Sequence, residues 1–275
     1  GAANALLVGQ HFHTLFIDEA AQALEPACWV AIAKADRVVF AGDHQQLPPT
    51  VKSVEAMRGG LSHTLMQQVA EHCPAVVRLL KIQYRMNETL MRFSSDWFYG
   101  GQLEAASEVK HRSLLDDIDA PLMWIDTDKQ PLASGDNETI PFDNNIKKSL
   151  ELPHHEQFVG NNYGRINCEE ALLTLQVLHQ YVARMGCRRL LEERVDFGII
   201  SPYRAQVQLL RSLIRRDDKL RPLRSQIMVN TVDAFQGQER DVMLVSLVRA
   251  NEEGQIGFLS DYRRMNVSIT RARFK

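Results

Sequence analysis

Two acids, Asp18 and Glu19, follow directly on the apolar run "HTLFI" (13–17) within "LFIDEAAQALEP". At the end of a buried strand, one carboxylate can hold Mg²⁺, directly or through water. Its neighbour can then polarise an attacking water beside a nucleotide. The same dipeptide also suits the first turn of a helix, where acids meet the positive end of the dipole. A second apolar run, "RVVFA" (37–41), ends in a similar way, with Asp43, Gln45 and Gln46 ahead of a Pro-Pro turn. Gln46 offers a donor and an acceptor without charge, which suits orienting a water or sensing a terminal phosphate. Gln45 reads as an exposed turn amide. Further on, "KIQYRMNE" supplies Arg85, whose guanidinium can stabilise charge on a transferring phosphoryl group, and Tyr84, which can stack on a base. The structural alternatives are an interdomain salt bridge and a core tyrosine. Far downstream, "VNTVDAFQGQERDVMLVSLV" places Thr231, Asp233, Gln236, Gly237 and Glu239 between two apolar runs. "DYRRMNVSITRAR" then offers Arg271 on a helical stretch that also carries Met265, Val267 and Ile269.

These residues need a scaffold, and the patterning predicts one. Besides the two runs above, "VVRLLKI" (76–82), "PLMWI" (121–125), "VDFGII" (195–200), "QIMVNTV" (226–232) and "DVMLVSLV" (241–248) read as strands. Most lack alternation, as in strands buried on both faces of a parallel sheet. Helical patterns fall between them. One spans Asn167 to about Met185, with Asn167 as N-cap, Glu170 closing a capping box, and a stripe of Leu172, Leu175, Leu178 and Val182. A second spans Arg204 to Arg216, with Val207, Leu210 and Ile214 on one face. Alternating strands and helices predict an α/β fold with a mainly parallel sheet, in which ligands sit at the carboxyl ends of strands. A break near "EHCPA" separates a first segment, 1–75, from a second, 76–275. The polar stretch 127–165 reads as a long loop or insertion.

Composition narrows the function classes. A 24% charged and 45% hydrophobic chain is of ordinary globular type. The net charge of -2 calls for no polyanionic partner, so any nucleic-acid surface must be a local patch. Between Arg184 and Arg224 there are 11 Lys or Arg against 5 Asp or Glu, which fits a phosphate track or a solvated helix face equally. Cys28, Cys73, Cys168 and Cys187 are scattered, so neither a zinc site nor a disulfide framework is expected, and a reduced, intracellular protein fits. No apolar run approaches the roughly 20 residues of a membrane span.

The motifs taken in order resemble the motor core of the superfamily 1 helicases, in the branch of the nonsense-mediated-decay and immunoglobulin-mu-binding helicases. The matching stretches are "FIDEAAQ" (motif II), "GDHQQLPP" (motif III), "QYRM" (motif IV), "VDAFQGQERD" (motif V) and "NVSITRAR" (motif VI), with "GIISPYRAQV" also similar. The resemblance implies two RecA-like domains with ATP and Mg²⁺ between them and a single strand of DNA or RNA as partner. It implies that Asp18 binds the metal, Glu19 is the catalytic base and Gln46 contacts the γ-phosphate. It places Tyr84 by the adenine, makes Arg85 and Arg271 arginine fingers, and brings Gly237 and Glu239 to the ribose and phosphates. Ser201, Tyr203, Arg204 and Thr231 would lie on or near the strand-binding side, where backbone contacts and stacking are the expected mode.

One part of the pattern is absent. Such a helicase holds phosphates with G-x-x-x-x-G-K-[ST], yet none of the 15 glycines is followed by Lys. The expectation is a piece of a larger helicase whose phosphate loop lies upstream, the 275 residues alone being without ATPase activity. The competing reading is a non-catalytic helicase-like module that binds nucleic acid or protein. The retained acid pair and both arginines weigh against it.

Overall fold

The computed structural model describes residues 7–115, 120–127, 155–160 and 164–275. The chain forms two compact units, Gly1–Leu80 and Lys81–Lys275.

In the first unit, strand β1 (Phe12–Ile17) pairs in parallel with β2 (Ala35–Phe40), so that Ile17 lies opposite Phe40. Helix α1 (Glu25–Ile32) connects them and starts with Pro26 in its first turn, where the missing N–H costs nothing. Two further helices follow, α2 (Val54–Arg58) and α3 (Leu65–His72). Each begins at a hydroxyl cap: Ser53 Oγ accepts from Ala56 N at 3.1 Å, and Thr64 Oγ1 from Gln67 N at 3.2 Å.

The second unit opens with the two-residue strands β3 (Ile82–Gln83) and β4 (Glu104–Ala105), which pair in parallel around helix α4 (Glu88–Phe98). A hairpin of β5 (Gln157–Val159) and β6 (Gly164–Ile166) precedes helices α5 (Cys168–Met185) and α6 (Cys187–Glu192). Then come β7 (Phe197–Ile200), α7 (Arg204–Arg216), β8 (Ile227–Asn230), α8 (Val232–Phe235), β9 (Val242–Val245) and α9 (Tyr262–Ile269). The sheet is parallel in the order β8-β7-β9. Residues after α9 extend it: Arg240 and Ala272 form a parallel bridge, and Met243 N donates to the carbonyl of Lys275 at 2.7 Å. Phe197 and Ile199 of the fully buried β7 pack with Val177 and Leu178 of α5, Val207 and Leu210 of α7, and Val229 and Val242.

The mixed α/β fold with parallel pairing agrees with the expectation, and five of the seven expected strands are present in part or whole. "VVRLLKI" is not a strand. A short 3-10 turn at Pro74–Val76 opens it and only Ile82 joins a ladder, while Val76, Val77, Leu79 and Leu80 stay exposed. An apolar run without a pairing neighbour cannot satisfy its backbone as a strand. "PLMWI" likewise forms no strand. Of the expected loop or insertion, residues 128–154 and 161–163 lie outside the described residues. Its last part forms the β5–β6 hairpin, where Glu156 takes ion pairs from Arg165 at 2.9 Å and Arg249 at 3.0 Å.

Helix α5 corrects two details. Its buried positions are Ala171, Leu173, Thr174, Val177, Leu178, Tyr181 and Met185, so the packed face is wider than the expected stripe: Leu175, Leu178 and Val182 join it, and Leu172 is exposed. Asn167 does cap it, accepting from Glu170 N at 3.0 Å, but the box is not closed. The Glu170 carboxylate instead accepts the N–H of Val248 at 2.9 Å, and Gln206 Oε1 takes the N–H of Asn167 at 3.0 Å. Helix α7 carries the expected face, with Val207, Leu210 and Ile214 buried. Among the described residues no helix is long and apolar enough to cross a membrane.

Candidate active site and nucleic-acid interface

In the first unit the acids sit where β1 ends. Register does the positioning: Ile17 pairs with Phe40, Ala41 N donates to the Ile17 carbonyl at 2.9 Å, and Ala20 N donates back to Ala41 at 2.9 Å. The two loops therefore leave the sheet side by side. Gly42 permits the approach, because a Cβ there would lie 2.9 Å from Ala20 N and 3.0 Å from Ala21 N. Asp18 Oδ1 accepts the N–H of Glu19 at 2.9 Å. Glu19 adopts the left-handed conformation, φ 50° and ψ 38°, and its Oε2 accepts from Gln22 Nε2 at 2.7 Å. Both acids are exposed. A non-glycine residue held there is uncommon, and such strain concentrates at functional positions.

Asp43 organises the second loop. Its Oδ1 accepts from Gln45 N and its Oδ2 from Gln46 Nε2, both at 2.9 Å. Gln46 is thus held by a carboxylate at the end of β2, a contact the sequence reading did not assign to Asp43. Among the described residues no cluster of three or more His, Cys, Asp or Glu forms a metal cage. Mg²⁺ usually keeps several waters and takes one or two carboxylates plus substrate phosphates, so an exposed Asp18 is a donor of the right kind.

In the second unit, Arg85 lies in the turn between β3 and α4. Gln83 builds that turn: its Oε1 accepts from the N–H groups of Arg85 at 2.9 Å and Met86 at 2.8 Å, while its Nε2 donates to the Met86 carbonyl at 2.7 Å. Arg85 Nε then meets Glu239 Oε2 at 2.6 Å, and Nη1 donates to the Thr270 carbonyl at 2.9 Å. Glu239 Oε1 lies 3.1 Å from Arg273 Nε, and Arg273 Nη1 bonds Asp241 Oδ1 at 3.1 Å. Burial works to raise the Glu239 pKa, but the Arg85 hydrogen bond and the charges of Arg85, Arg273 and Arg271 hold it below the usual carboxylate value. Burial pushes the Asp241 carboxyl up and the Asp196 carboxylate adds to it, against the opposing pull of the Asp196 N–H and the Arg273 charge.

Arg271 is only 3% exposed. Its guanidinium donates to the carbonyls of Val267 at 3.1 Å and Gln238 at 3.2 Å and to Thr270 Oγ1 at 3.1 Å. It therefore ties α9 to the segment before β9. Tyr84 is the opposite, 66% exposed. Gly237 has φ 75°, which glycine alone adopts freely, and it turns the chain between α8 and β9.

The residues expected near a strand collect at the other end of the same sheet. Ser201 follows β7 and Thr231 follows β8, and Ser201 N donates to the Asn230 carbonyl at 3.2 Å. Ser201 is fully buried, and its Oγ accepts from Tyr203 N at 3.5 Å. Tyr203 occupies the N-cap position of α7, its hydroxyl buried without a hydrogen-bond partner among the described residues. Arg204, the first residue of α7, is exposed. Glu239 and Asp241 precede β9 at the amino end of the sheet, whereas Ser201, Arg204 and Thr231 stand at its carboxyl end. Four residues separate the ends, roughly 13 Å. The segment 231–241 runs from one end to the other.

The parallel α/β sheets, with carboxylates following β1 and β2, fit the general fold of the P-loop nucleotide-binding proteins. Comparison with known proteins agrees: residues 61–275 and residues 1–54 each match an AAA domain family. The chain belongs to this family, within the superfamily 1 helicases of the nonsense-mediated-decay and immunoglobulin-mu-binding branch. It is 36% identical over 278 residues to the DNA-binding protein SMUBP-2 of Rattus norvegicus, covering 98% of this chain and 25% of that protein. It is 35% identical over 275 residues to the DNA polymerase alpha-associated DNA helicase A of Saccharomyces cerevisiae, covering 96% of this chain and 37% of the yeast protein. Against the DNA replication ATP-dependent helicase/nuclease DNA2 of Xenopus laevis it is 35% identical over 289 residues, covering 100% and 25%. The chain thus spans between a quarter and two fifths of the length of these relatives.

Proposed function

We propose that this chain is the catalytic and strand-tracking part of an ATP-dependent helicase or translocase acting on single-stranded DNA or RNA, inside the cell, with its two units RecA-like. The observation that carries the reading is the pair of exposed acids at the end of β1, locked beside a loop in which Asp43 aims Gln46. Asp18 holds Mg²⁺ through oxygen. Glu19 takes the proton of the attacking water, and Gln46 orients that water or the terminal phosphate. Mg²⁺ supplies charge neutralisation at the phosphates when ATP is bound. Arg85 stabilises the charge that spreads over the transferring phosphoryl oxygens, whereas Arg271, expected to share that task, is enclosed and holds α9 to the segment before β9. Tyr84, exposed beside Arg85, stacks on the adenine, while Gly237 and Glu239 approach the ribose and phosphates. The reading requires phosphate-gripping donors from outside these 275 residues, since no G-x-x-x-x-G-K-[ST] occurs in them. Arg204 and the backbone around Ser201 and Thr231 hold the strand phosphates.

The test is Glu19→Gln in the full-length protein. Strand-stimulated ATP turnover should fall by on the order of a hundredfold or more, with ATP binding retained. Near-normal turnover would refute the catalytic assignment and favour a non-catalytic binding module.

A further inference from the structure

Glu239 is shared. One carboxylate oxygen holds Arg85 Nε at 2.6 Å, and the other faces Arg273 Nε at 3.1 Å. The second contact is ionic only: Arg273 Nε is buried and, among the described residues, has no aligned hydrogen-bond acceptor. Arg273 is itself fixed through Nη1 to Asp241, which is 7% exposed. Asp241 is locked in turn by an exchange with Asp196: Asp241 N donates to Asp196 Oδ1 at 2.8 Å, and Asp196 N donates to Asp241 Oδ2 at 3.0 Å. The order of anchoring runs from the rigid sheet edge outward, through Asp241, Arg273 and Glu239, to the half-exposed Arg85 guanidinium. Backbone bonds at the same edge, Arg273 N to the Arg240 carbonyl at 2.8 Å and Phe274 N to the Asp241 carbonyl at 3.0 Å, keep Arg273 in register.

We propose that Arg273 is a positioning residue for the Arg85 guanidinium, acting through the shared Glu239 carboxylate. The inference rests on the reading of Arg85 as a phosphate-contacting arginine. Arg85 rests on Glu239. When Arg85 turns to the transferring phosphoryl group, Glu239 would be left as a half-buried charge without its closest partner, which is costly. Arg273, with an Nε–H that lacks an aligned acceptor, takes up that carboxylate. The exchange lowers the cost of releasing Arg85 and returns the guanidinium to one defined place afterwards.

A double-mutant cycle on the full-length protein tests this, with ATP turnover measured under saturating single strands. Arg85→Gln should lower kcat sharply. Arg273→Gln should lower kcat on the order of tenfold or more, the scale of a misplaced catalytic group, with KM for ATP nearly unchanged. In the Arg85→Gln background, Arg273→Gln should add nothing. Arg273→Lys, which keeps the charge and loses the fork, should fall between. Equal losses from Arg273→Gln in both backgrounds overturn the proposal. If Arg273→Gln does not fold, Arg273→Lys replaces it in the same cycle under the same criterion. Normal turnover of Arg85→Gln would instead remove the reading of Arg85 on which the proposal stands.

Discussion

Gln206 and Asn167 form a reciprocal pair: Gln206 Oε1 accepts the N–H of Asn167 at 3.0 Å, and Gln206 Nε2 returns a bond to the Asn167 carbonyl at 3.0 Å. Gln206 is fully buried and also donates to Ser246 Oγ at 3.1 Å. One side chain thereby closes the start of α5, the first turn of α7 and the end of β9. Gln206→Leu keeps the bulk and leaves these partners unsatisfied. It should cost about 1–3 kcal/mol, read as a lower urea midpoint at unchanged slope. A midpoint within error of the parent would show that water replaces the amide.

Glu19 should be stable for function rather than for the fold. Its left-handed backbone costs roughly 1 kcal/mol in a residue other than glycine, asparagine or aspartate. Glu19→Asn accepts that conformation more readily and loses only the exposed bond from Gln22. The expected outcome is a gain of about 0.5 kcal/mol in denaturant unfolding together with loss of ATP turnover. Loss of stability would mean that the Gln22 bond outweighs the backbone strain.

Gly42 is expected to tolerate nothing larger. A methyl at that position meets two backbone nitrogens at 3.0 Å or less, and backbone cannot swing aside as a flexible side chain can. Gly42→Ala should therefore cost about 1–3 kcal/mol and separate the Asp18–Glu19 turn from the Asp43–Gln46 loop. Thermal unfolding and ATP turnover in the full-length protein check the two halves of that statement.

Asp217 gives a pH dependence of known sign. Burial works to raise its pKa, but the His179 hydrogen bond at 2.6 Å and the N–H groups of Leu220 and Lys219 bring it below the ordinary value. A depressed carboxylate stabilises the fold fully above its unfolded pKa of about 3.9, and that contribution is lost as pH falls through the folded value. Asp217→Asn should thus be destabilised relative to the parent near neutrality, and the two should converge in acid. Parallel stability curves down to about pH 2 would contradict this.

The positions of the candidate site residues at element ends were more legible in the sequence than the elements that hold them. Asp18, Glu19, Asp43 and Gln46 announce themselves at the ends of two apolar runs, and the register of β1 on β2 brings them side by side as that pattern implies. Local signals also sufficed for the Asn167 cap and the buried face of α7. Long-range partners left no such trace. Glu170 bonds Val248 N rather than closing its own box, and Gln206 replaces it at Asn167, because residues 39 and 78 positions away compete for the same groups. "VVRLLKI" misled because apolar content cannot report whether a neighbouring strand exists. Arg273 was passed over although it stands two residues after Arg271 in the same motif. Spacing shows that both can point to one network but not which is buried, and it is Arg271 whose guanidinium is enclosed.

The last prediction separates a phosphate track from a solvated helix face in the basic run of the second unit. Arg204 and Arg216 are both exposed and terminate the same helix, α7. Thirteen residues put the two ends roughly 18 Å apart. Only Arg204 stands at the carboxyl end of β7, beside Ser201 and Thr231, and there its charge adds to the positive end of the helix dipole. A cation at that position does not help the helix, so its placement there favours an anionic ligand over stability. Arg204→Gln in the full-length protein should weaken single-strand binding at low salt, whatever the sequence of the strand. It should also reduce the slope of log affinity against log salt by about one ion. Arg216→Gln, at the far end, should leave both unchanged and slightly lower helix stability, since a cation there suits the dipole. Equal effects from the two substitutions would make the run a diffuse electrostatic surface. A slope unmoved by Arg204→Gln would take the strand away from this end of the sheet.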